Sequence, residues 1–258
     1  MRYIFQVLQA LYSIYAFLVF VLLMFLLLPF IFIASLFGKI KGGNLIYRIC
    51  ILWADIAMFT WGIFHKNYYN NKYDLDMPAI YVFNHISFMD IPVLMKTFRK
   101  ISIRILGKSE MTKVPVFGFI YKNAVVTVDR SSPANRAKSV KQLTSVLSKN
   151  ISIVLAPEGT FNMTHHPLKA FYDGAFKIAL ETNTPIRPVI LLDTYDRLNY
   201  KSIFSLVPGR SRSVFLEEIN VDNYTSDDLE LLKQKVYTEM QTALVAANAS
   251  WIKNAPDA

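Results

Sequence analysis

The chain has a single cysteine, Cys50. This excludes an intramolecular disulfide and fits a reducing compartment. Charge is missing in one place as well: no Asp, Glu, Lys or Arg stands between Arg2 and Lys39. Such a gap excludes a water-exposed surface helix and points to lipid. A membrane-spanning helix needs about 20 apolar residues, and "FLVFVLLMFLLLPFIFIASLF" (17–37) supplies them. As one straight helix the uncharged stretch would run roughly 54 Å, against a hydrocarbon core of about 30 Å. The segment is therefore expected to tilt, to extend beyond the core, or to bend near Pro29 into a membrane-embedded hairpin. It is too long for a cleaved signal peptide, and no small-residue cleavage site follows it cleanly. Internal repeats are also absent, and no nucleic-acid motif accompanies the basic charge, so nucleic acid is not an expected partner.

What is present is unevenly placed. The net charge is +9, and the window Lys96–Lys141 holds eleven Lys and Arg against only Glu110 and Asp129. A basic region beside an apolar anchor suits anionic lipid headgroups or a phosphorylated substrate; the plain alternative is a solvated basic face. Lys39, Lys41 and Arg48 follow the apolar block, which places the remainder of the chain on the cytoplasmic side by the positive-inside tendency. A short joint, "GKIKGGN" (38–44), leads to "LIYRICILWADIAMFTWGIF" (45–64). That segment is either a second membrane-associated helix or one packed on the body.

Beyond about residue 72, short apolar runs alternate with helical patterns. Strands are expected at 79–84, 101–107, 124–129, 151–157, 186–193 and 213–219. Helices are expected at Phe88–Phe98, Pro115–Tyr121, Pro133–Lys149, Tyr172–Thr182 and Ser226–Ala247. The pattern predicts an α/β fold: a mixed, largely parallel sheet flanked by helices, preceded by an N-terminal membrane-embedded helical segment. The division expected is 1–66 for the anchoring region and 67–258 for the α/β domain. Sheets of this kind hold ligands at the carboxyl ends of their strands, and His85, Asp129 and Glu158 each fall at or past such an end.

Three stretches there carry chemistry. In "NHISFMD" (84–90), a turn after the strand can fold the Asp90 carboxylate back onto His85, fixing its tautomer and leaving the other ring nitrogen to take a proton. Ser87 to Asp90 equally fits a helix capping box, in which Asp90 serves the backbone, and the two roles are compatible. In "APEGTF" (156–161), Gly159 lets backbone N–H groups approach a ligand closely; a plain strand-to-turn exit has the same composition. In 106–130, Lys108 follows one strand and Arg130 ends the next, as a point charge and a bidentate partner for phosphate. Adjacent His165 and His166, without Glu or Cys at ligand spacing, are loop residues rather than a metal site.

Taken in this order, the blocks resemble the glycerolipid acyltransferases, with the bacterial 1-acylglycerol-3-phosphate (lysophosphatidate) acyltransferases the nearest match. The His-x4-Asp motif is His85 to Asp90. A second block is Gly107-Lys108, Pro115, Gly118 and Asp129-Arg130; a third is Pro157 to Thr160; a late proline block is Pro185 to Pro188. The likeness covers roughly residues 70–220. It implies transfer of a fatty acyl group from acyl-CoA or acyl carrier protein to a lysophospholipid hydroxyl, with no cofactor and no metal. By the same resemblance His85 and Asp90 are catalytic, and Lys108, Arg130, Glu158, Gly159 and Thr160 bind substrate. Membrane lipids are the remaining partner, and a bacterial inner membrane with the domain on its cytoplasmic face is the implied location. One departure stands out: the family commonly has an arginine after Glu-Gly-Thr, and here that residue is Phe161. Either Lys108, Arg130 and Lys169 suffice for a phosphate, or the acceptor is another lyso-lipid, such as an N-acyl amino-acid lipid. A lipid hydrolase is disfavoured because no Gly-x-Ser-x-Gly elbow occurs. A non-catalytic anionic-lipid-binding membrane protein is the remaining alternative.

Overall fold

The computed structural model describes residues 2–71, 74–128 and 133–253. In chain order the elements are α1 (Arg2–Ser35), α2 (Gly43–Thr60), β1 (Ile63–Tyr69), β2 (Ile80–Phe83), α3 (Asp90–Thr97), β3 (Ile103–Lys108), α4 (Phe117–Ala124), β4 (Val126–Val128), α5 (Pro133–Leu147), β5 (Ser152–Leu155), α6 (Gly174–Thr182), β6 (Ile186–Leu191), α7 (Thr194–Arg197), β7 (Gly209–Phe215) and α8 (Leu229–Ala246).

The seven strands form one sheet in the order β1-β7-β6-β2-β5-β3-β4. Every pair is parallel except β6 with β7. The central strands β2, β5 and β6 are buried along their whole length. They read as continuous apolar runs because helices cover both faces, as parallel sheets require. One face carries Tyr81, Phe83, Val154 and Val189 and is covered by α2 and α3; the other carries Ile80, Val82, Ile153 and Ile190 and packs on α5, α6 and α8.

The expected helices and six of the strands lie where the sequence places them, within a few residues. Strand β1 was not expected, and residue 66 falls inside it. Of the three arrangements open to this segment, the bend near Pro29 does not occur: α1 runs through it unbroken to Ser35. The chain reverses instead at Gly38, whose φ of +77° belongs to the left-handed region. A single π-helical turn, Gly38–Gly42, then leads into α2. Gly42 is required there, because a Cβ would collide with the Ala34 carbonyl oxygen. Buried Arg104 closes the joint, donating to the Lys39 and Ile40 carbonyls at 3.1 and 3.0 Å.

Both α1 and α2 are long and apolar enough to cross a membrane. On α1, Ser13, Ala16, Leu23, Ile31 and Ala34 form the buried stripe, whereas Leu22, Phe25, Leu26 and Phe30 are exposed. Asp55 on α2 pairs with Lys96 and Arg99 at the end of α3, so 45–64 packs on the body.

Candidate active site

Register brings His85 and Glu158 together. Val82 pairs with Leu155 in parallel, so three residues further along each strand His85 lies opposite Glu158. Strand β3 is on the far side of β5 and ends at Lys108, on the same edge of the sheet. The Lys108 side chain is exposed.

The backbone leaves the sheet at Asn84, whose amide imitates a further pair of ladder bonds. It donates to the Leu191 carbonyl at 3.1 Å and accepts from the Leu191 N–H at 2.8 Å. The main chain is thereby freed while β2 stays registered with β6. His85 itself is held at both backbone groups: its N–H donates to Glu158 Oε1 at 3.0 Å, and its carbonyl accepts from Asn162 N–H at 2.7 Å.

Asp90 is fully buried and stands 2.7 Å from His85 Nδ1 through Oδ2. The same oxygen accepts the backbone N–H groups of Ile86 and Ser87 at 2.9 and 3.0 Å. Ser87 Oγ accepts from Met89 N–H at 2.9 Å and donates to the Leu198 carbonyl. Asp90 therefore serves the imidazole and the helix entry at once. A carboxylate only accepts, so the ring proton resides on Nδ1 and the lone pair on Nε2. The His85 side chain keeps 23% of its surface exposed, and Nε2 is not occupied by Asp90.

Glu158 is 1% exposed, and both its oxygens are committed: Oε1 to His85 N–H and Oε2 to Lys169 N–H at 2.8 Å. Burial pushes its pKa up to about 7, the two N–H donors pull it down, and the nearby Asp90 carboxylate adds to the rise. In the structure the Glu158 carboxylate clips two loops together. Gly159 has φ +70°, a turn a larger residue would resist. Thr160 Oγ1 accepts from the Lys169 ammonium at 2.8 Å. Phe161 lies against the imidazole, with ring centroids 4.3 Å apart, and meets Phe88 edge-on at 5.0 Å. Arg130 lies outside the described residues, as does Asp129.

Sequence reasoning assigned no role to Asn84 or Asn162. An amide directly before the His was the available signal for Asn84. Asn162 holds His85 through its backbone N–H and its own loop through its side chain, which donates to the His166 carbonyl at 2.9 Å and accepts from Thr164 N–H at 3.0 Å. The other histidines are differently placed. His65 hydrogen-bonds Asn67 and Ser211 within β1 and β7, and burial pushes it down to about 4. His165 contacts the Trp251 carbonyl from an exposed loop.

A family model described as acyltransferase matches residues 63–192, half of the chain. A 1-acyl-sn-glycerol-3-phosphate acyltransferase of Cocos nucifera is 34% identical over 168 residues, 64% of this chain and 52% of that protein. One from Haemophilus influenzae is 28% identical over 153 residues, 58% of this chain and 62% of that one. The chain thus spans about half the length of the curated relatives it matches. The crystal structure of the 1-acyl-sn-glycerophosphate (LPA) acyltransferase of Thermotoga maritima has the same fold, with a TM-score of 0.72 at 22% identity over 98% of this chain and all of that one. With half its length matched by the family model, including the segments that carry His85, Asp90 and Glu158, the chain belongs to the acyltransferase family.

Proposed function

We propose that the chain is a membrane-bound O-acyltransferase that moves a fatty acyl group from an acyl thioester, of CoA or of acyl carrier protein, to the free hydroxyl of 1-acylglycerol-3-phosphate, giving phosphatidic acid for phospholipid synthesis. The observation that carries this reading is the His85 Nδ1 to Asp90 Oδ2 contact of 2.7 Å, on an imidazole that stays partly exposed. The acceptor hydroxyl gives its proton to Nε2 as its oxygen attacks the thioester carbonyl. Asp90 stabilises the imidazolium that forms. When the C–S bond breaks, the imidazolium returns that proton to the departing thiolate, so the histidine ends as it began. Lys108, Arg130, Glu158, Gly159 and Thr160 hold the acceptor, with Glu158 orienting the turn that receives it.

The helical pair α1–α2 holds this site at the membrane surface, with the domain on the cytoplasmic side. Lysolipid and product both reside in the bilayer. A site at the interface spares their acyl chains a transfer into water worth about 0.8 kcal/mol per methylene.

Phe161 against His85 favours a second reading of the acceptor, a lyso-lipid without a phosphate monoester, such as an N-acyl amino-acid lipid. The test offers both acceptors side by side to detergent-purified protein with one labelled acyl-CoA, then with acyl carrier protein, and uses His85→Ala as the blank. Label in phosphatidic acid, lost in the blank, supports the first reading. Label only in the other acceptor keeps the chemistry and replaces the substrate. No label with either donor leaves a lipid-binding protein.

A further inference from the structure

The loop that follows α7 spends its polar side chains on its own backbone and turns its apolar ones out. Asn199 Oδ1 accepts from Lys201 N–H at 3.0 Å, Ser202 Oγ from Phe204 N–H at 3.1 Å, and Ser205 Oγ from Asn199 N–H at 3.1 Å. Ser205 Oγ also donates to the Ser202 carbonyl at 2.6 Å. Such Asn and Ser turns fix a backbone locally. Ile203 and Phe204, at the tip, are nevertheless 61% and 50% exposed. An ordered loop that holds apolar side chains in water forgoes their burial, and clustered exposure of that kind marks an interaction surface.

The pair is not isolated. Tyr200 Oη donates to the carbonyl of Met163, itself exposed, at 3.3 Å. Phe161 meets Phe88, and Phe88 and Ile91 are exposed as well. Asn199 bridges to Ser87, and Asn162 N–H donates to the His85 carbonyl. Loops 87–91, 161–163 and 199–205 are thus stitched together around the His85 turn, each with an apolar side chain outward. On its other flank the last of them meets α1, through Gln9 on the Ser205 carbonyl and Ser13 Oγ on Leu206 N–H. That helix is exposed at every residue from Tyr3 to Leu8, all apolar but Gln6, so the rim continues the surface of the proposed anchor. From Leu198 to Arg210 there is no Asp or Glu, and Lys201 beside the tip is exposed. Aromatic, aliphatic and lysine side chains without acids suit the boundary between acyl chains and anionic headgroups.

We infer that the 199–205 loop is a second membrane-inserting element: Ile203 and Phe204 enter the acyl layer beside the start of α1, and with Met163, Phe88 and Ile91 they seat the mouth of the His85 site on the bilayer. This rests on the membrane-bound acyltransferase reading given above and deepens it, by naming the face of the domain that meets lipid. The helical pair holds the chain at the membrane; the loop sets the orientation of the site against it.

The test places a nitroxide on Phe204→Cys in a Cys50→Ala background, with Glu239→Cys, exposed on α8 across the sheet from α1, as the reference in water. The full chain is bound to vesicles of phosphatidylcholine and phosphatidylglycerol. Collisions are measured with oxygen, which partitions into hydrocarbon, and with a nickel chelate, which stays in water. Oxygen should dominate at 204 and nickel at 239. In parallel, the double variant Ile203→Ser, Phe204→Ser is assayed on vesicle-borne 1-acylglycerol-3-phosphate and on a short-chain acceptor dissolved in water. Its kcat/KM should fall about ten-fold or more on vesicles, as two apolar side chains are withdrawn from lipid, and stay unchanged on the dissolved acceptor. A label at 204 as open to nickel as the one at 239, on a chain that floats with the vesicles, overturns the insertion and leaves the enzyme reading untouched. A label shielded from both reagents means that another protein chain covers the loop, and overturns it too. Equal losses on both acceptors mean that the loop builds the site without touching lipid, and the inference fails. A lipid-buried label in a protein without turnover keeps the inserted loop and removes the enzyme reading.

Discussion

Three N–H groups converge on one oxygen of Asp90, those of Ile86, Ser87 and the His85 ring. Replacing this carboxylate by an amide offers that spot either an NH2, which opposes all three donors, or a neutral oxygen, which cannot stabilise an imidazolium. Asp90→Asn is therefore expected to lower kcat while leaving the acceptor KM nearly unchanged. His85→Ala removes the base and should lower kcat by roughly 10²–10⁴-fold, with membrane association intact; steady-state kinetics and vesicle flotation on the same preparations check both. Glu158 yields a pH prediction. Its pKa is raised from 4.5 to about 7 in the fold, so between those values the folded chain keeps a proton that the unfolded chain releases. Stability then falls as pH rises through this window and levels off above it. The Tm of the wild type relative to Glu158→Gln should decline from pH 4.5 to 7; an unchanging difference would place the carboxyl at its ordinary value. The His-to-Asp spacing was legible in sequence because it is local. The occupation of Glu158 was not, because its two partners are 73 and 11 residues away along the chain.

Elements that bury apolar runs are legible in the sequence, and those that do not are hidden. Strand β1, "IFHKNYY", carries His65, Lys66 and Asn67, and only Ile63 is fully buried. It lies at the sheet edge on β7, where one face meets water, so an apolar-run criterion passes over it. β7 shows the same effect: its charged start, Gly209 to Arg212, falls outside the expected strand. Pro29 misleads in the opposite direction. A helix can absorb a proline where neighbouring groups tolerate the lost hydrogen bond, and the reversal fell to Gly38 and Gly42. The exposed face of α1 gives this scale its prediction. Leu22, Leu26 and Phe30 are 57–60% exposed, so lysines there disturb no internal packing. Each charge set in hydrocarbon costs about 2.5–3.5 kcal/mol. The triple variant Leu22→Lys, Leu26→Lys, Phe30→Lys should lose vesicle flotation and keep the Tm of the detergent-dispersed protein. Undiminished flotation would move the membrane contact to another surface.

At the scale of the whole molecule the apolar N-terminus is part of the fold as well as the proposed anchor. Its buried stripe belongs to the same core as Tyr81, Val93 and Phe215. Polar bonds reinforce the seam: Trp61 Nε1 donates to the Ala16 carbonyl at 3.2 Å, and Tyr12 donates to the Trp61 carbonyl at 2.5 Å. From the same helix, Gln9 donates to the Ser205 carbonyl and Ser13 Oγ accepts from Leu206 N–H, both at 3.2 Å. Ser205 Oγ in turn accepts from Asn199 N–H at 3.1 Å, and Asn199 bridges to Ser87 in the turn that carries Asp90. A line of contacts thus runs from α1 to the turn between His85 and Asp90. Composition could announce the apolar segment, but this bracing depends on loop residues some 190 positions away and is invisible to local pattern. Deleting residues 2–35 should therefore do more than release the protein from membranes. The side of α2 that α1 covers, opened along Trp53 and the following Trp61, leaves a lowered Tm, and the unbraced Ser87 turn lowers kcat even on substrate dispersed in detergent. Circular dichroism melts and micellar assays separate this from simple tethering. A truncated chain with unchanged Tm and unchanged micellar kcat would mean that α1 only delivers the site to lipid and does not help to build it.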